Sequence, residues 1–490
     1  MRKMSRRAFI QSAAAGAVAV AFPFTARSYA AIVGSNEAVR IGSIGFKSRG
    51  GQQISSIGKE PGFRLTALCD VDRKILELGA NTNNITETYT DLRKLLESKN
   101  IDAVAIATPN HWHALAAIWS IQAGKDVYVE KPVSHNVSEG RRIVEFARKY
   151  GKMVQAGTQS RASREGIGEA VAYVRSGKLG KIKLARGLCY KRRPSIGKST
   201  VPLKIPDYID FDLWCGPAEK LPIMRKALHY DWHWVWNTGC GDLGNQGIHE
   251  MDVARWFLGV NELSPSILTV GGRVGYVDDG ETPNTMIAYH AYPEAPLLFE
   301  VRGLPSKKYP QGVKEQMDTY KGARVGIVIE CEGGHVTVPS YGKAIIHDND
   351  GKEITTFTDK TKGDPTDAHF SNFLKACRSR NHEDLYADIL DGHLSSALCH
   401  TANISHRLGK VTDPEAIDDA IKTNPLFTEA FERVKQHLIA NKVDISKDKL
   451  TLGVPLTMDP KTETFPGNDA ANAMLTRQYR APYIVPDKVV

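Results

Sequence analysis

From Val39 to Gln159 the chain alternates short β-branched runs with amphipathic stretches, and this rhythm constrains the fold more than any other feature. "VRIGSIGF", "RLTALCDV", "IDAVAIATP", "DVYVEKP" and "KMVQAGTQ" read as strands, with "GGQQISSIGK", "TDLRKLLES", "HALAAIWSIQAG" and "SEGRRIVEFARKYG" as helices among them. Strands that are apolar almost throughout and spaced by helices predict an α/β domain whose parallel sheet is covered on both faces. After about residue 160 the rhythm changes. One helix, "GIGEAVAYVRSG", leads to the strand "KIKLARGLCY", and a loop-rich, tryptophan-rich section runs to about 260. Long strands then follow without helices between them, "ILTVGGRVGYV", "NTMIAYHAY", "LLFEVRG", "RVGIVIECEGGHVTV" and "KAIIHD", before two helices, "AHFSNFLKACRS" and "DGHLSSALCHTANISHRLGK". The expected organisation is a doubly wound parallel sheet over 38–158, then an α+β domain with a large, mostly antiparallel open sheet over 159–410. A Pro-, Lys- and Asp-rich arm over 411–490 is expected to wrap on the body or on a neighbour.

"GFKSRG", Gly45 to Gly50, follows the first strand with the G-x-G-x-x-G spacing of a dinucleotide-binding Rossmann turn, except that Lys47 replaces the middle glycine. A lysine there either keeps the phosphates further out or gives them a positive charge. Asp70 ends the second strand, where an acid accepts ribose hydroxyls. An acid there also repels a 2′-phosphate, which favours NAD over NADP; a solvated acid at a strand end is the plain alternative.

With "IATPNHWH", "AGKDVYVEKP" and "VQAGTQSR" at successive strand ends and "GDLGNQGIHEMDVARW" in the second domain, the chain resembles the glucose–fructose oxidoreductase and inositol dehydrogenase family over about residues 38–410. The resemblance implies a Rossmann domain paired with an α+β domain whose sheet supports oligomer contacts, hence a homodimer or homotetramer. It also implies NAD(P)-dependent oxidation of sugars, cyclitols or related polyols, or the chemistry of a branch of NAD-dependent glycosidases. Carried over residue by residue, Glu130–Lys131–Pro132 matches the E-K-P signature that sets a lysine beside the nicotinamide. Gly45, Phe46, Lys47, Ser48 and Arg49 match the phosphate turn, with Asp70 on the ribose. Thr108, Asn110, Trp112, His113 and Gln159 fall in the segments lining the cofactor's ribose and nicotinamide side, and His249 matches the histidine used on the substrate hydroxyl. One departure matters: the family's D-x-x-x-H pair is here Asn245–x–x–x–His249. On a helix both side chains share a face, but an asparagine orients a histidine without raising its pKa. Asp242 is an acid that a continuous helix would bring to that face.

Oxidising an alcohol requires a base for the O–H proton and a cation near the developing alkoxide. Lys131, His249 and Asn245 form the expected catalytic set. "HYDWHWVWN" puts Trp232, Trp234 and Trp236 at period two beside His233, which reads either as a sugar-stacking face or as strand core. "LCYKRRPS" offers Tyr190, Lys191 and Arg192 after a strand as rim contacts to substrate hydroxyls, or as a solvated basic loop. His229, His233 and Glu250 lack ligand-like spacing from one element, so no metal is expected.

The first thirty residues read as a leader. "SRRAFIQ" carries consecutive arginines before a short apolar stretch, "AAAGAVAVAFPF", and "SYA" supplies small residues for cleavage. The run resembles a twin-arginine signal, whose translocon carries folded proteins to the periplasm or beyond; an ordinary secretory signal containing two arginines is the alternative. The leader holds five basic residues and no acid, which brings the formal charge from +9 to about +4 in the remainder, no footprint for nucleic acid. Seven scattered cysteines without a CxxC pair suggest neither a disulfide framework nor a zinc site. No span of the mature chain is expected to cross a membrane. An exported dehydrogenase meets no NAD pool, so the coenzyme is expected to travel bound and to be regenerated in place. The readings that follow are an oxidoreductase of sugars, glycosides or polyols, a redox-neutral NAD-dependent glycosidase, or a non-catalytic sugar-binding protein.

Overall fold

The computed structural model describes residues 38–360 and 365–489, and the arginine pair with its apolar stretch lies outside them. Six strands, β1 (Val39–Ile44), β2 (Phe63–Cys69), β3 (Glu87–Tyr89), β4 (Ala103–Ile106), β5 (Asp126–Val129) and β6 (Val154–Ala156), pair in the order β3-β2-β1-β4-β5-β6. All the pairings are parallel. β4 and β5 are buried at every position, as strands covered on both faces must be. The strand order reverses between β1 and β4, so their carboxyl ends frame the crevice where open α/β sheets bind ligands. The helix Arg73–Asn83, which the sequence pattern does not single out, is set by its cap: Asp72 Oδ1 accepts from the backbone N–H groups of Lys74 and Ile75.

The second sheet comprises β7 (Ile182–Tyr190), β8 (Ser266–Gly272), β9 (Thr285–His290), β10 (Leu297–Arg302), β11 (Val325–Cys331), β12 (Gly334–Ser340), β13 (Lys343–His347) and β14 (Glu353–Thr358). β15 (Lys410–Thr412), β16 (Leu450–Leu452) and β17 (Leu456–Thr457) from the arm complete it, so the sheet runs past the boundary expected at 410. Only β7 and β10 pair in parallel; the other pairings are antiparallel. "RVGIVIECEGGHVTV" is the β11–β12 hairpin rather than one strand. The inner face packs on the helices Glu169–Arg175, Gly247–Leu258 and Ile389–Leu408. On the outer face the arm's helix Pro425–Ala440 buries Phe427, Phe431, Val434 and Leu438 against Leu184, Ile287 and Leu298, about 1.5–3 kcal/mol for each large apolar side chain. The rest of the arm returns to the nucleotide domain, where Tyr483 meets Trp112 edge-on with ring centres 5.5 Å apart. The arm therefore wraps its own body.

Candidate active site

The nucleotide end is built on the β1 turn and the helix Arg49–Lys59. Gly45 takes φ +75, a left-handed conformation that favours glycine. A Cβ on Gly50 would lie 2.1 Å from the Gly45 carbonyl oxygen, so only glycine lets the helix approach the turn this closely. Ser48 at the helix start makes no side-chain cap, which leaves the first-turn N–H groups open to an anion. Asp70 accepts from Asp72 N (3.0 Å) and Phe46 N (3.2 Å). Burial raises its carboxyl to about 6 against those two hydrogen bonds, which lower it. Thr108 Oγ1 is a buried hydroxyl without a partner in the same crevice. A cradle that a Cβ would fill, an uncapped helix start, a strand-end carboxylate and an orphaned hydroxyl fit the pyrophosphate and ribose of NAD.

The other end is organised by Glu130. Its Oε1 accepts from Arg49 Nε (2.9 Å), Gln53 Nε2 (3.1 Å) and Gln159 Nε2 (3.1 Å), and its Oε2 accepts from Lys131 N (3.2 Å). Burial works to raise this carboxyl, but the charges of Arg49 and Lys131 outweigh it and hold it at about 2. Lys131 Nζ donates to the Asn245 carbonyl oxygen (2.8 Å) and its Oδ1 (3.3 Å). Burial lowers the Lys131 pKa, while Glu130 supports the charged form. His113 braces this turn: its ring nitrogens meet the carbonyl oxygens of Pro132 (2.6 Å) and Thr108 (2.7 Å). Asn110 accepts from Cys240 Sγ, 3.3 Å away.

Over both ends lies a roof formed by residues 191–240, enclosing a cleft of about 440 Å³. Arg73 N donates to Tyr208 O, Asp210 N donates to Val71 O, and His229 Nε2 meets Asp72 Oδ2 at 3.0 Å. Trp112 Nε1 donates to Leu213 O at 2.8 Å. The arm ties the roof down from outside. Arg480 donates to Asp212 Oδ1 (2.8 Å), Asp212 O (2.7 Å) and Gly216 O (3.1 Å), while Tyr483 Oη donates to Asp212 Oδ2 (3.1 Å). Arg477 holds Asn237 through its carbonyl and its side-chain oxygen. His233 lines the cleft, and its Nδ1 meets Tyr230 O at 2.5 Å, so Nδ1 carries the proton and Nε2 keeps its lone pair. Burial lowers its pKa to about 3, so the ring is neutral.

Of the residues singled out in the sequence, Gly45, Phe46, Lys47, Ser48, Arg49, Asp70, Thr108, Asn110, Trp112, His113, Glu130 and Lys131 line one cleft, together with Trp232, His233 and Asn245. Several others do not. Tyr190 is fully buried on the opposite face of the second sheet, where its hydroxyl donates to Glu300 Oε2 (2.7 Å). Arg192 pairs with Glu315. Gln159 stays behind Glu130 and orients it. Trp232, Trp234 and Trp236 stand on a 3-10 turn, Asp231–Trp234, and the bend after it, not on a strand. Trp234 lies under the Arg193 guanidinium and Trp236 under Arg407. Asn245 and His249 belong to two helices, Gly241–Asn245 and Gly247–Leu258, broken at Gln246. His249 lines a small separate cavity beside Tyr341, and burial followed by the Lys131 charge drives its pKa well down. Asp242 does not support it: both carboxylate oxygens take Arg193, at 2.7 Å each. Among the described residues no three metal-ligating side chains gather. The roof residues Arg193, Tyr230 and Gln246 enter the cleft without having been singled out.

These elements define a dinucleotide-binding α/β fold joined to an α+β domain, with a cleft at the carboxyl ends of the parallel strands. The model of an oxidoreductase family's NAD-binding Rossmann fold matches residues 39–158, and the model of that family's C-terminal alpha/beta domain matches 174–289. The chain belongs to the Gfo/Idh/MocA oxidoreductase family. It is 31% identical to the inositol 2-dehydrogenase of Rubrobacter xylanophilus over 229 residues, 46% of this chain and 54% of the relative. It is 35% identical to an alpha-N-acetylgalactosaminidase of Shewanella oneidensis over 125 residues, 24% of this chain and 27% of the relative. The chain thus matches only about a quarter to a little over half of the length of these curated relatives. The WlbA dehydrogenase of Bordetella pertussis, solved with NADH and UDP-GlcNAcA, shares the fold at a TM-score of 0.54 and 20% identity, covering 74% of this chain and 94% of that one.

Proposed function

We propose that this chain oxidises a hydroxyl of a sugar, glycoside or related polyol, with NAD held beneath the roof and recycled in place. The observation that carries this reading is the Lys131 ammonium, anchored on the Asn245 carbonyl in a cleft whose other end fits the dinucleotide. Bound NAD supplies the hydride acceptor. The chain's own residues handle charge and proton. Lys131 stabilises the alkoxide as it forms. His233, neutral and with Nε2 free to accept, takes the hydroxyl proton from the cleft side. His249, neutral and lining a separate small cavity, takes no part in the proton transfer in this reading. The inositol dehydrogenase relative and the sugar-nucleotide complex of the structural neighbour support the choice of substrate class. Export of the folded, loaded protein through the twin-arginine translocon is part of the proposal, since a roof tied down by the arm suits a coenzyme that must not escape.

A second reading, glycoside cleavage by transient oxidation of a ring hydroxyl and elimination, is favoured by two residues. Asn245 gives Lys131 a neutral anchor in place of a carboxylate. The one imidazole assigned to the proton, His233, is a weak base with its pKa lowered to about 3, and a cycle without net oxidation depends less on a strong base. The N-acetylgalactosaminidase relative points the same way. Undialysed protein, denatured and analysed for released NAD, tests the shared premise, and its absence would count against both readings. Aryl glycosides separate them: free phenol without net NADH selects cleavage, and NADH from an intact sugar selects oxidation.

A further inference from the structure

We infer that the reacting end of the cleft is shaped for a carbohydrate carrying an anionic group, a carboxylate or a sulfate ester, with Lys191 as its counter-ion. The inference rests on the proposed oxidation of a carbohydrate and adds to it the charge of the substrate.

Positive charge at this end of the cleft is left unbalanced. β7 ends at Tyr190, and side chains along a strand alternate between faces. Tyr190 points to the outer face and Lys191 to the cleft. Lys191 Nζ donates to Gln246 Oε1 at 2.9 Å, and Lys131 Nζ donates to the carbonyl of the preceding residue, Asn245. Two ammonium groups are thus anchored on adjacent residues at the break between two helices. Neither makes an ion pair among the described residues.

The other charges at this end are accounted for. Arg49 pairs with Glu130 and Arg193 pairs with Asp242. His233 is neutral, and so is His249. Glu250 is separated from Lys191 by the Gln246 amide, which accepts from Lys191 and donates to Glu250 Oε1 at 3.1 Å; burial lifts that carboxyl to about 8, which favours its protonated form at neutral pH. Lys47 and Asp70 belong to the nucleotide end of the cleft. Lys131 has a task, the alkoxide. Lys191 has only a neutral acceptor, and two of its three N–H donors remain. A half-buried ammonium that lines the cleft and meets only a neutral acceptor has donors left for a ligand. An anionic substituent on the substrate completes the balance with a charge-assisted hydrogen bond.

The test uses the full NAD-loaded protein and paired probes: glucuronate, glucose 6-sulfate and glucose, and galacturonate with galactose. Binding is read as a thermal shift and as a change in the fluorescence of the cleft tryptophans, and oxidation as NADH absorbance. The expected result is roughly tenfold to hundredfold tighter binding of the acidic member of a pair, the range of a hydrogen bond to a charged group. The preference should collapse toward unity in Lys191→Met and return in Lys191→Arg, which also guards against a variant that folds poorly. The carboxylate and sulfate arms tell which anion is read. Equal binding of acidic and neutral sugars by the native protein, or a preference that survives Lys191→Met, overturns the inference while leaving carbohydrate oxidation standing. Binding of acetate or malonate, lost in Lys191→Met, with no binding of any sugar, upholds the anion site and removes the carbohydrate reading. No binding of either sugars or simple carboxylates overturns the inference.

Discussion

Replacing Gly50 by alanine should damage coenzyme binding, while the same change at Gly58, eight residues along the same helix, should stabilise the protein. The added Cβ at 50 falls 2.1 Å from the Gly45 carbonyl oxygen, 3.0 Å from its carbonyl carbon and 3.1 Å from Phe46 Cβ. Two of these contacts involve backbone, which cannot rotate away, so the helix must withdraw by about 1 Å, at an overpacking cost of about 1–3 kcal/mol. Withdrawal also carries the first-turn N–H groups off the pyrophosphate. A misplacement of that size in a positioned site costs on the order of a hundredfold in what it positions. At Gly58 the new methyl meets nothing within 4 Å, so the gain is the helix propensity of alanine, about 0.5–1 kcal/mol. Urea unfolding of stripped and NAD-saturated protein separates the two effects, since bound NAD adds stability by mass action. Gly50→Ala should lower the stripped stability and lose most of the NAD increment. Gly58→Ala should raise the first and keep the second. Variants indistinguishable from each other would refute the close-approach argument.

Lys131→Met should abolish turnover by about a hundredfold or more while the purified protein keeps its NAD; turnover that survives the change removes Lys131 from the chemistry. NAD affinity should be flat above pH 6 and fall about tenfold per pH unit below it, because Asp70, raised to about 6, must release its proton before it accepts from ribose; a flat fluorescence titration down to about pH 5 would exclude Asp70 as the ribose acceptor. Arg480→Ala removes the ion pair to Asp212 and the bonds to two roof carbonyls. It should speed NAD release by roughly tenfold, measured by displacement with excess labelled NAD, and an unchanged release rate would mean the arm does not secure the roof.

The nucleotide half was legible because its signals are local. A glycine at the turn, a glycine where the helix meets it and an acid one residue past β2 lie within one βαβ unit, and all of them line or shape the crevice. The roof was not legible, because what holds it is distant in sequence: Arg480 and Asp212 are separated by 268 residues, and no window contains both. The three tryptophans suggest a strand by their spacing, but Gly239 folds back on this segment so closely that a Cβ would stand 2.5 Å from the carbonyl oxygens of Trp232 and His233. The expected pairing of Asn245 with His249 fails because the second sheet presses on the segment between them. Gly247 lies where a Cβ would meet the Phe299 ring at 2.9 Å, and the helix restarts there.

The rim residues carry a sharper lesson. Strand alternation alone assigns Tyr190 and Arg192 to one face and Lys191 and Arg193 to the other, and the packing of β7 fixes which face is which. Leu184 and Leu188 sit with the outer clusters, and Ala185 and Cys189 with the inner core. Treating "YKRR" as a loop discards that parity. Keeping it places both cations of the inner register, Lys191 and Arg193, in the cleft, one held by a neutral amide and one already matched by Asp242. The face that supports coenzyme chemistry is therefore also the face that sets the charge of what can bind there.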